Sequence, residues 1–222
     1  MGLLLTHATC VTPSRVAQDR TLLIQNGRID RIEGPDFHPG GDHYVRDLAG
    51  RYLLPSFIDL HAHGAMGADF ADPDFPVAET LDFLHAHGVT GLYPTLHARP
   101  WDELKRALTR AAKLCRGKPG SQLFRGIHCE GPFLNREMSG AAPIEALCTP
   151  TLDGWKELQN AAKDHIRVLT IAPELDGATQ VIRSAYHEDV LVSAGHSNAD
   201  YETMMKAVDE GLRQVTHLFN AM

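Results

Sequence analysis

Apolar residues recur along most of the chain in short runs that alternate with amphipathic helical segments. The clearest helical pattern covers residues 101–117, where apolar positions three or four residues apart form one stripe: Leu104, Ala107, Leu108, Ala111 and Leu114. Pro100 near its start and Gly117 just past its end are typical helix boundaries. The pattern therefore predicts a helix with one buried face.

Six short apolar runs predict buried strands, at residues 57–63, 89–96, 123–131, 166–174, 190–197 and 213–219. Helical patterns lie between them, and repeated strand–helix units favour a parallel sheet with helical crossovers. A closed eight-fold barrel takes about 250 residues, which residues 55–222 do not reach. We therefore predict an incomplete (β/α)8-type barrel with about six βα units.

The first 54 residues have a different pattern. The runs at residues 21–25 and 28–32 flank Asn26-Gly27, a strong signal for a two-residue hairpin. The sequence thus predicts part of a small β domain, of sandwich type, over residues 1–54, followed by the partial barrel over 55–222.

Composition excludes several classes of protein. The chain is 43% hydrophobic with a net charge of −7, and it has no basic block, so neither a nucleic acid nor a membrane is expected as a partner. No secretory leader or long apolar span is visible. The four cysteines have no CxxC spacing and are interpreted as reduced thiols, which favours a cytoplasmic protein.

Histidine and glutamate side chains occupy the ends of several predicted strands. His61 and His63 share one face of the first strand because their spacing is two residues, and Glu130, His196 and His217 end later strands. Strand ends of a parallel barrel converge on one face, where three N/O ligands and a water make a catalytic metal site. A group of hydrogen-bonded polar residues without a metal is the alternative. Asp59, on the same face as His61, is expected to orient a histidine.

Several segments together carry a family resemblance: LLPSFIDLHAHGAMGADFAD, EGPFLN, LTIAPE, AGHS and THLFNAM. In this order they resemble N-acetylglucosamine-6-phosphate deacetylase of the amidohydrolase superfamily, over its N-terminal portion. The resemblance implies a metal-dependent-hydrolase barrel beside a small β domain. It also implies one or two divalent ions, with zinc the first choice and iron, manganese or cobalt as alternatives.

The resemblance also assigns roles to residues. It gives Glu130, His196 and His217 to the principal metal, His61 and His63 to a second metal, and Asn220 and Ala221 to the sugar phosphate. Ala142 stands where many relatives have a sugar-contacting histidine. The general-base aspartate is expected beyond residue 222, so no catalytic residue is assigned within the chain.

The implied reaction hydrolyses the acetamide of N-acetylglucosamine 6-phosphate to glucosamine 6-phosphate and acetate. The resemblance implies a homodimer for a full-length form, and the chain alone is expected to be inactive. Two alternatives stay open: an amidohydrolase acting on another N-acetyl amino-sugar phosphate or a cyclic amide, and a non-catalytic metal-binding fragment.

Overall fold

The chain divides into two compact units, Met1–Ser56 and Phe57–Met222. A computed structural model describes residues 1–116 and 123–222. The boundary between the units lies two residues after the predicted one. Gly117, predicted to follow the long helix, lies outside the described residues.

The first unit contains a five-stranded sheet. Its strands are β1 (Gly2–Val11), β2 (Val16–Gln25), β3 (Arg28–Glu33), β4 (His43–Asp47) and β5 (Tyr52–Leu53), in the order β3-β2-β1-β4 with β5 also paired to β1. Asn26 and Gly27 join β2 to β3 with φ values of 51° and 72°, as a two-residue hairpin of this hand requires. The predicted hairpin is confirmed.

The second unit contains a six-stranded parallel sheet. Its elements begin with β6 (Phe57–Ala62) and a small hairpin of β7 (Gly64–Ala65) and β8 (Ala68–Asp69). The other sheet strands are β9 (Val89–His97), β10 (Ile127–Glu130), β11 (Ile166–Ile171), β12 (Leu191–Ala194) and β13 (Leu212–Val215). The strand order is β6-β9-β10-β11-β12-β13, so every strand lies beside its neighbours in the chain.

Helices connect these strands: α1 (Val77–Ala86), α2 (Trp101–Cys115), α3 (Leu152–Ala162), α4 (Ala178–His187) and α5 (Tyr201–Asp209). The apolar stripe of α2 packs against the core as predicted, with Leu104 and Leu108 at 0% exposure and Leu114 partly buried. Side chains cap α3 and α5, because Thr151 accepts from the amide of Gly154 and Asp200 from that of Thr203. The core between sheet and helices includes Trp155, Leu158, Ile166 and Val181.

This architecture is the α/β arrangement of part of a barrel, and it brings the carboxyl ends of all six strands to one edge. Within residues 1–116 and 123–222, we find no helix whose length and apolar character would let it span a membrane.

Candidate metal centre

Glu130 is the last residue of β10, and it is buried with 4% exposure. Four imidazoles surround its carboxylate. Oε1 lies 3.1 Å from Nε2 of His217, 3.3 Å from Nε2 of His196 and 3.5 Å from Nε2 of His61. Oε2 lies 3.1 Å from Nε2 of His63. The structure therefore brings together all five residues that the sequence suggested as ligands.

These side chains form two groups that share the carboxylate. One group contains Glu130, His196 and His217, and the other contains His61, His63 and Glu130. Within each group, the possible ligand atoms lie within 4.8 Å of one another. The Nε2 atoms of each histidine pair are 3.1 Å apart. Two atoms bonded to one tetrahedral zinc at about 2.0–2.1 Å stand roughly 3.3 Å apart. The observed spacing thus fits a metal coordination sphere.

The second ring nitrogens of His196 and His217 fix their tautomers. His196 Nδ1 lies 2.9 Å from the carbonyl oxygen of Met138, and His217 Nδ1 lies 3.1 Å from that of Asn220. Since a carbonyl oxygen only accepts, both Nδ1 atoms carry a hydrogen, so each ring in its neutral form presents its Nε2 lone pair to the other ring and to the carboxylate. Such a group of acceptors requires a cation, either a metal or added protons.

The backbone turns sharply at these two histidines. His196 has a φ of 50° and His217 a φ of 31°, a region that non-glycine residues seldom adopt. A Cβ on the preceding Gly195 would lie 2.8 Å from Cγ2 of Thr170 and 2.8 Å from Cβ of Thr216. Glycine is therefore needed where the chain passes close to its neighbours, and the strain is concentrated at the site.

The carboxylate and its neighbours shift one another's ionisation. Burial alone would raise the pKa of Glu130, but hydrogen bonds from His196, His61 and His63 outweigh it and hold the pKa well below its usual range. The hydrogen bond to Glu130 raises the pKa of His63. Burial opposes the same effect at His196, yet the hydrogen bond to Glu130 leaves that pKa raised. The centre thus holds an ionised carboxylate and attracts positive charge.

Two residues lie beneath this layer. Asp59 Oδ1 accepts from the backbone amide of His61 at 3.0 Å, so it holds the main chain of that histidine. His128 is fully buried, and burial, followed by the neighbouring His61, lowers its pKa to about 4. At neutral pH His128 is therefore an uncharged support below the ligands.

A cavity of about 480 Å³ opens above the carboxylate. Its wall includes both residues predicted to bind substrate, Asn220 and Ala221, together with Ala142. The carbonyl oxygen of Ala221 accepts from the amide of Ser197 at 3.3 Å, which ties this segment to the turn after His196. The volume is in the usual range for small-molecule sites.

Comparison with known proteins connects this geometry to one group of enzymes. No protein-family model matches the chain. N-acetylglucosamine-6-phosphate deacetylase of Bos taurus is 37% identical over 183 residues, covering 80% of this chain and 44% of that protein. The Lysinibacillus sphaericus enzyme of the same name is 29% identical over 229 residues, covering 100% of this chain and 57% of that protein.

Solved structures agree. The D267A mutant of the Mycobacterium smegmatis deacetylase, in complex with N-acetyl-D-glucosamine-6-phosphate, has a TM-score of 0.89 at 30% identity and covers 100% of this chain and 56% of its own. The Pasteurella multocida deacetylase has a TM-score of 0.86 at 29% identity. The chain is a homologue of the N-acetylglucosamine-6-phosphate deacetylases. It spans about half the length of the curated relatives it matches.

More distant structures share only the fold with this deacetylase homologue. A Bacillus D-hydantoinase is 19% identical with a TM-score of 0.52. Its similarity supports the partial barrel architecture and carries no conclusion about substrate.

Sequence reasoning missed two residues of the cavity wall, His97 and Asp69. The His97 ring centroid lies 5.6 Å from that of His63, and Arg99 Nη2 lies 3.2 Å from His97 Nε2 and 3.7 Å from Asp69 Oδ2. Burial, followed by the charge of Arg99, lowers the pKa of His97. His97 is the last residue of β9. The strand-end rule that found the other histidines would have found it too.

Proposed function

We propose that this chain carries the metal-binding part of an active site that hydrolyses the acetamide of an amino-sugar 6-phosphate, with N-acetylglucosamine 6-phosphate as the first candidate. The products are acetate and the free amine. The observation that carries the proposal is the convergence of four imidazoles on the buried carboxylate of Glu130. A purely structural role would not collect so many acceptor atoms in one place.

The residues divide between two ion sites. Glu130, His196 and His217 would hold one divalent ion, and His61, His63 and the same Glu130 would hold a second. Imidazole and carboxylate ligands suit zinc, and iron, manganese or cobalt remain compatible. When bound, such an ion supplies a water of lowered pKa, about 7, and polarises the amide carbonyl.

We assign substrate recognition to Asn220 and Ala221, which line the cavity. The Asn220 side-chain amide and the backbone around Ala221 offer hydrogen-bond donors at the cavity, and phosphate oxygens accept such bonds. Leu134, with 2% exposure, contributes an apolar wall to the same cavity. The segment would orient the sugar phosphate while the wall keeps bulk water away from the amide.

The proton transfer step needs a base. Among the described residues, we assign no general base. The aspartate expected beyond residue 222 remains a prediction, together with the inactivity of the chain alone. A cytoplasmic location and a homodimer of a full-length form stay predictions as well.

N-acetylgalactosamine 6-phosphate is the second candidate substrate. N-acetylgalactosamine-6-phosphate deacetylase of Escherichia coli O157:H7 is 35% identical to this chain over 183 residues, and it covers 80% of the chain. Ala142, where the resemblance expects histidine, lines the cavity that would bind the sugar. Both epimers are therefore compared.

The test separates metal binding from catalysis. Metal content is measured on the chain by equilibrium dialysis after chelator treatment, with Glu130→Gln as the disabled variant. The control is His85→Ala, because His85 lies in the last turn of α1, away from the proposed ligands. We expect up to two ions per chain, none in Glu130→Gln, and no change in the control.

Acetate release is measured on the product of the complete reading frame that contains this sequence. The substrates are N-acetylglucosamine 6-phosphate, its galactose epimer and unphosphorylated N-acetylglucosamine. We expect metal-dependent release that falls roughly 100-fold or more without the phosphate, because charge-assisted contacts are lost. Metal binding without release from any of these substrates would overturn the proposed reaction and leave the metal site standing.

A further inference from the structure

A chain of buried hydrogen bonds crosses the sheet directly beneath the proposed metal ligands. Ser193 Oγ lies 2.7 Å from Thr216 Oγ1, which lies 2.7 Å from Thr170 Oγ1. Thr170 Oγ1 lies 2.7 Å from Nε2 of His128, and His128 Nδ1 lies 2.9 Å from the carbonyl oxygen of Leu60. The three hydroxyl residues and His128 are at most 2% exposed.

The chemistry of the two ends fixes the direction of this chain. The Leu60 carbonyl can only accept, so His128 Nδ1 donates to it. Thr95 Oγ1 also lies 3.4 Å from Nδ1, and all three partners of the buried ring are uncharged, which favours a neutral imidazole whose Nε2 accepts from Thr170. Thr170 then has no hydrogen left and must accept from Thr216, which in turn accepts from Ser193. Every proton therefore points from Ser193 towards Leu60.

Four of the five members of the chain lie within two residues of a proposed ligand or pair with one across the sheet. Leu60 immediately precedes His61, and Thr216 immediately precedes His217. His128 is two residues before Glu130, and Thr170 is the strand partner of Glu130 in the β10–β11 register. The His128 ring also meets the His61 ring edge to face, with centroids 4.8 Å apart. A shift of the hydroxyl chain would therefore move ligands of both groups.

We propose that Thr170 and His128 are positioning residues, and that the one-directional hydrogen-bond chain from Ser193 to the Leu60 carbonyl holds the metal-ligating strands at the spacing the metal requires. The inference rests on the proposed function only in requiring that a metal binds; it does not depend on which amide is hydrolysed. Groups that support metal ligands from behind commonly change metal affinity by about 10–100-fold when removed.

The test compares three substitutions of buried threonines. Thr170→Val keeps the shape and removes the donor to His128, whereas Thr170→Ser keeps the hydroxyl. The matched control is Thr80→Val in α1, because Thr80 is also 0% exposed but its Oγ1 has no hydrogen-bond partner among residues 1–116 and 123–222. Each protein is titrated with Co²⁺, whose visible absorption reports the geometry of its ligands as well as its affinity.

We expect Thr170→Val to weaken Co²⁺ binding about tenfold or more and to shift the absorption bands. Thr170→Ser should restore both, and Thr80→Val should leave both unchanged even where it alters the thermal midpoint. A Thr170→Val protein with wild-type affinity and spectrum would overturn the proposal. An equal loss in Thr80→Val would do the same, because it would show a general effect of core substitution.

The direction of the hydrogen-bond chain provides a second test, which can be made even if Thr170→Val does not fold. Ser193→Ala removes only the first donor and leaves every later bond intact, so its loss of affinity should fall between those of Thr170→Ser and Thr170→Val. In ¹⁵N NMR spectra of the metal-free protein, His128 should carry its proton on Nδ1. A proton on Nε2 instead would reverse the chain and refute the inference, whatever the deacetylase assay shows.

Discussion

The two histidine pairs of the metal centre reach the same carboxylate by different means. His196 and His217 lie after strands on residues of positive φ, and backbone carbonyls fix their second ring nitrogens. His61 and His63 lie along and just after β6, at one end of the described strand order. Their side chains are 26% and 44% exposed, against 9% and 29% for His196 and His217. The comparison indicates one more pre-organised site, in which His196 is the most buried of the four histidines, and one more open site, in which His63 is the most exposed.

The largest expected effect comes from the residue that both pairs share. Glu130→Gln removes the negative charge that balances either ion, so both ions should be lost, with affinity down roughly 100-fold or more. Metal content measured by inductively coupled plasma spectrometry checks this. If the variant retained one ion at wild-type affinity, the two groups would not depend on a common carboxylate.

Removing one histidine from each pair should separate the two sites. His196→Ala should abolish the tighter binding event, because it removes a ligand whose orientation is already fixed. His61→Ala should remove the weaker event and leave the tighter one within about threefold. Isothermal titration with Zn²⁺ distinguishes the events. If His61→Ala weakened Zn²⁺ binding more than His196→Ala did, the distinction between a tighter and a weaker site would be wrong.

The pH dependence of the metal-free protein sharpens the comparison further. The pKa values of His63 and His196 are raised above the ordinary 6.5. A raised folded-state pKa adds stability below the unfolded value and loses it as pH rises through the folded value. These two groups should therefore make the metal-free thermal midpoint fall between about pH 6 and about pH 8, whereas the lowered pKa values of His97 and His128 add a rise up to about pH 7. With saturating metal the contribution of the ligands should be a rise, because metal ligands must be deprotonated.

Single variants show how much each pair contributes to the pH dependence of the metal-free thermal midpoint. His63→Ala and His196→Ala should each remove part of the fall between about pH 6 and about pH 8. A metal-free pH dependence that neither variant changes would contradict the assignment of the two raised pKa values.

The smallest effect is expected beneath the open pair. Asp59→Ala leaves the backbone amide of His61 without its acceptor, which costs about 1 kcal/mol of stability and weakens only the weaker metal event. Asp59→Asn retains an oxygen acceptor and should behave like the wild type. Chemical denaturation and Zn²⁺ titration measure both effects, and equal losses in the two variants would show that charge matters more than the hydrogen bond.

Local patterns predicted the parts of the molecule that local physics controls. Asn26-Gly27 specified its turn through backbone conformation, and the stripe of α2 specified its buried face. The position of Glu130 at a strand end could be predicted for the same reason. The parallel pairing of the long first strand with β4 could not be predicted, because pairing between distant segments leaves no periodic signal.

The support beneath the site was hidden for a similar reason. Thr170 and Thr216 are ordinary strand residues by sequence, and only the sheet brings their hydroxyls to 2.7 Å. Their role depends on register among five strands, β6 and β10 to β13. Side-chain direction at His196 and His217 also depends on turns whose φ values no spacing rule supplies.

The sequential strand order has a consequence for synthesis on the ribosome. Glu130 and His217 are 87 positions apart, so at about 5–20 residues per second they emerge roughly 4–17 s apart. His61, His63 and Glu130 have all left the ribosome well before His217 exists. A nascent chain thus offers metal the more open group first, and the deeper group can compete for an ion only when β13 is complete.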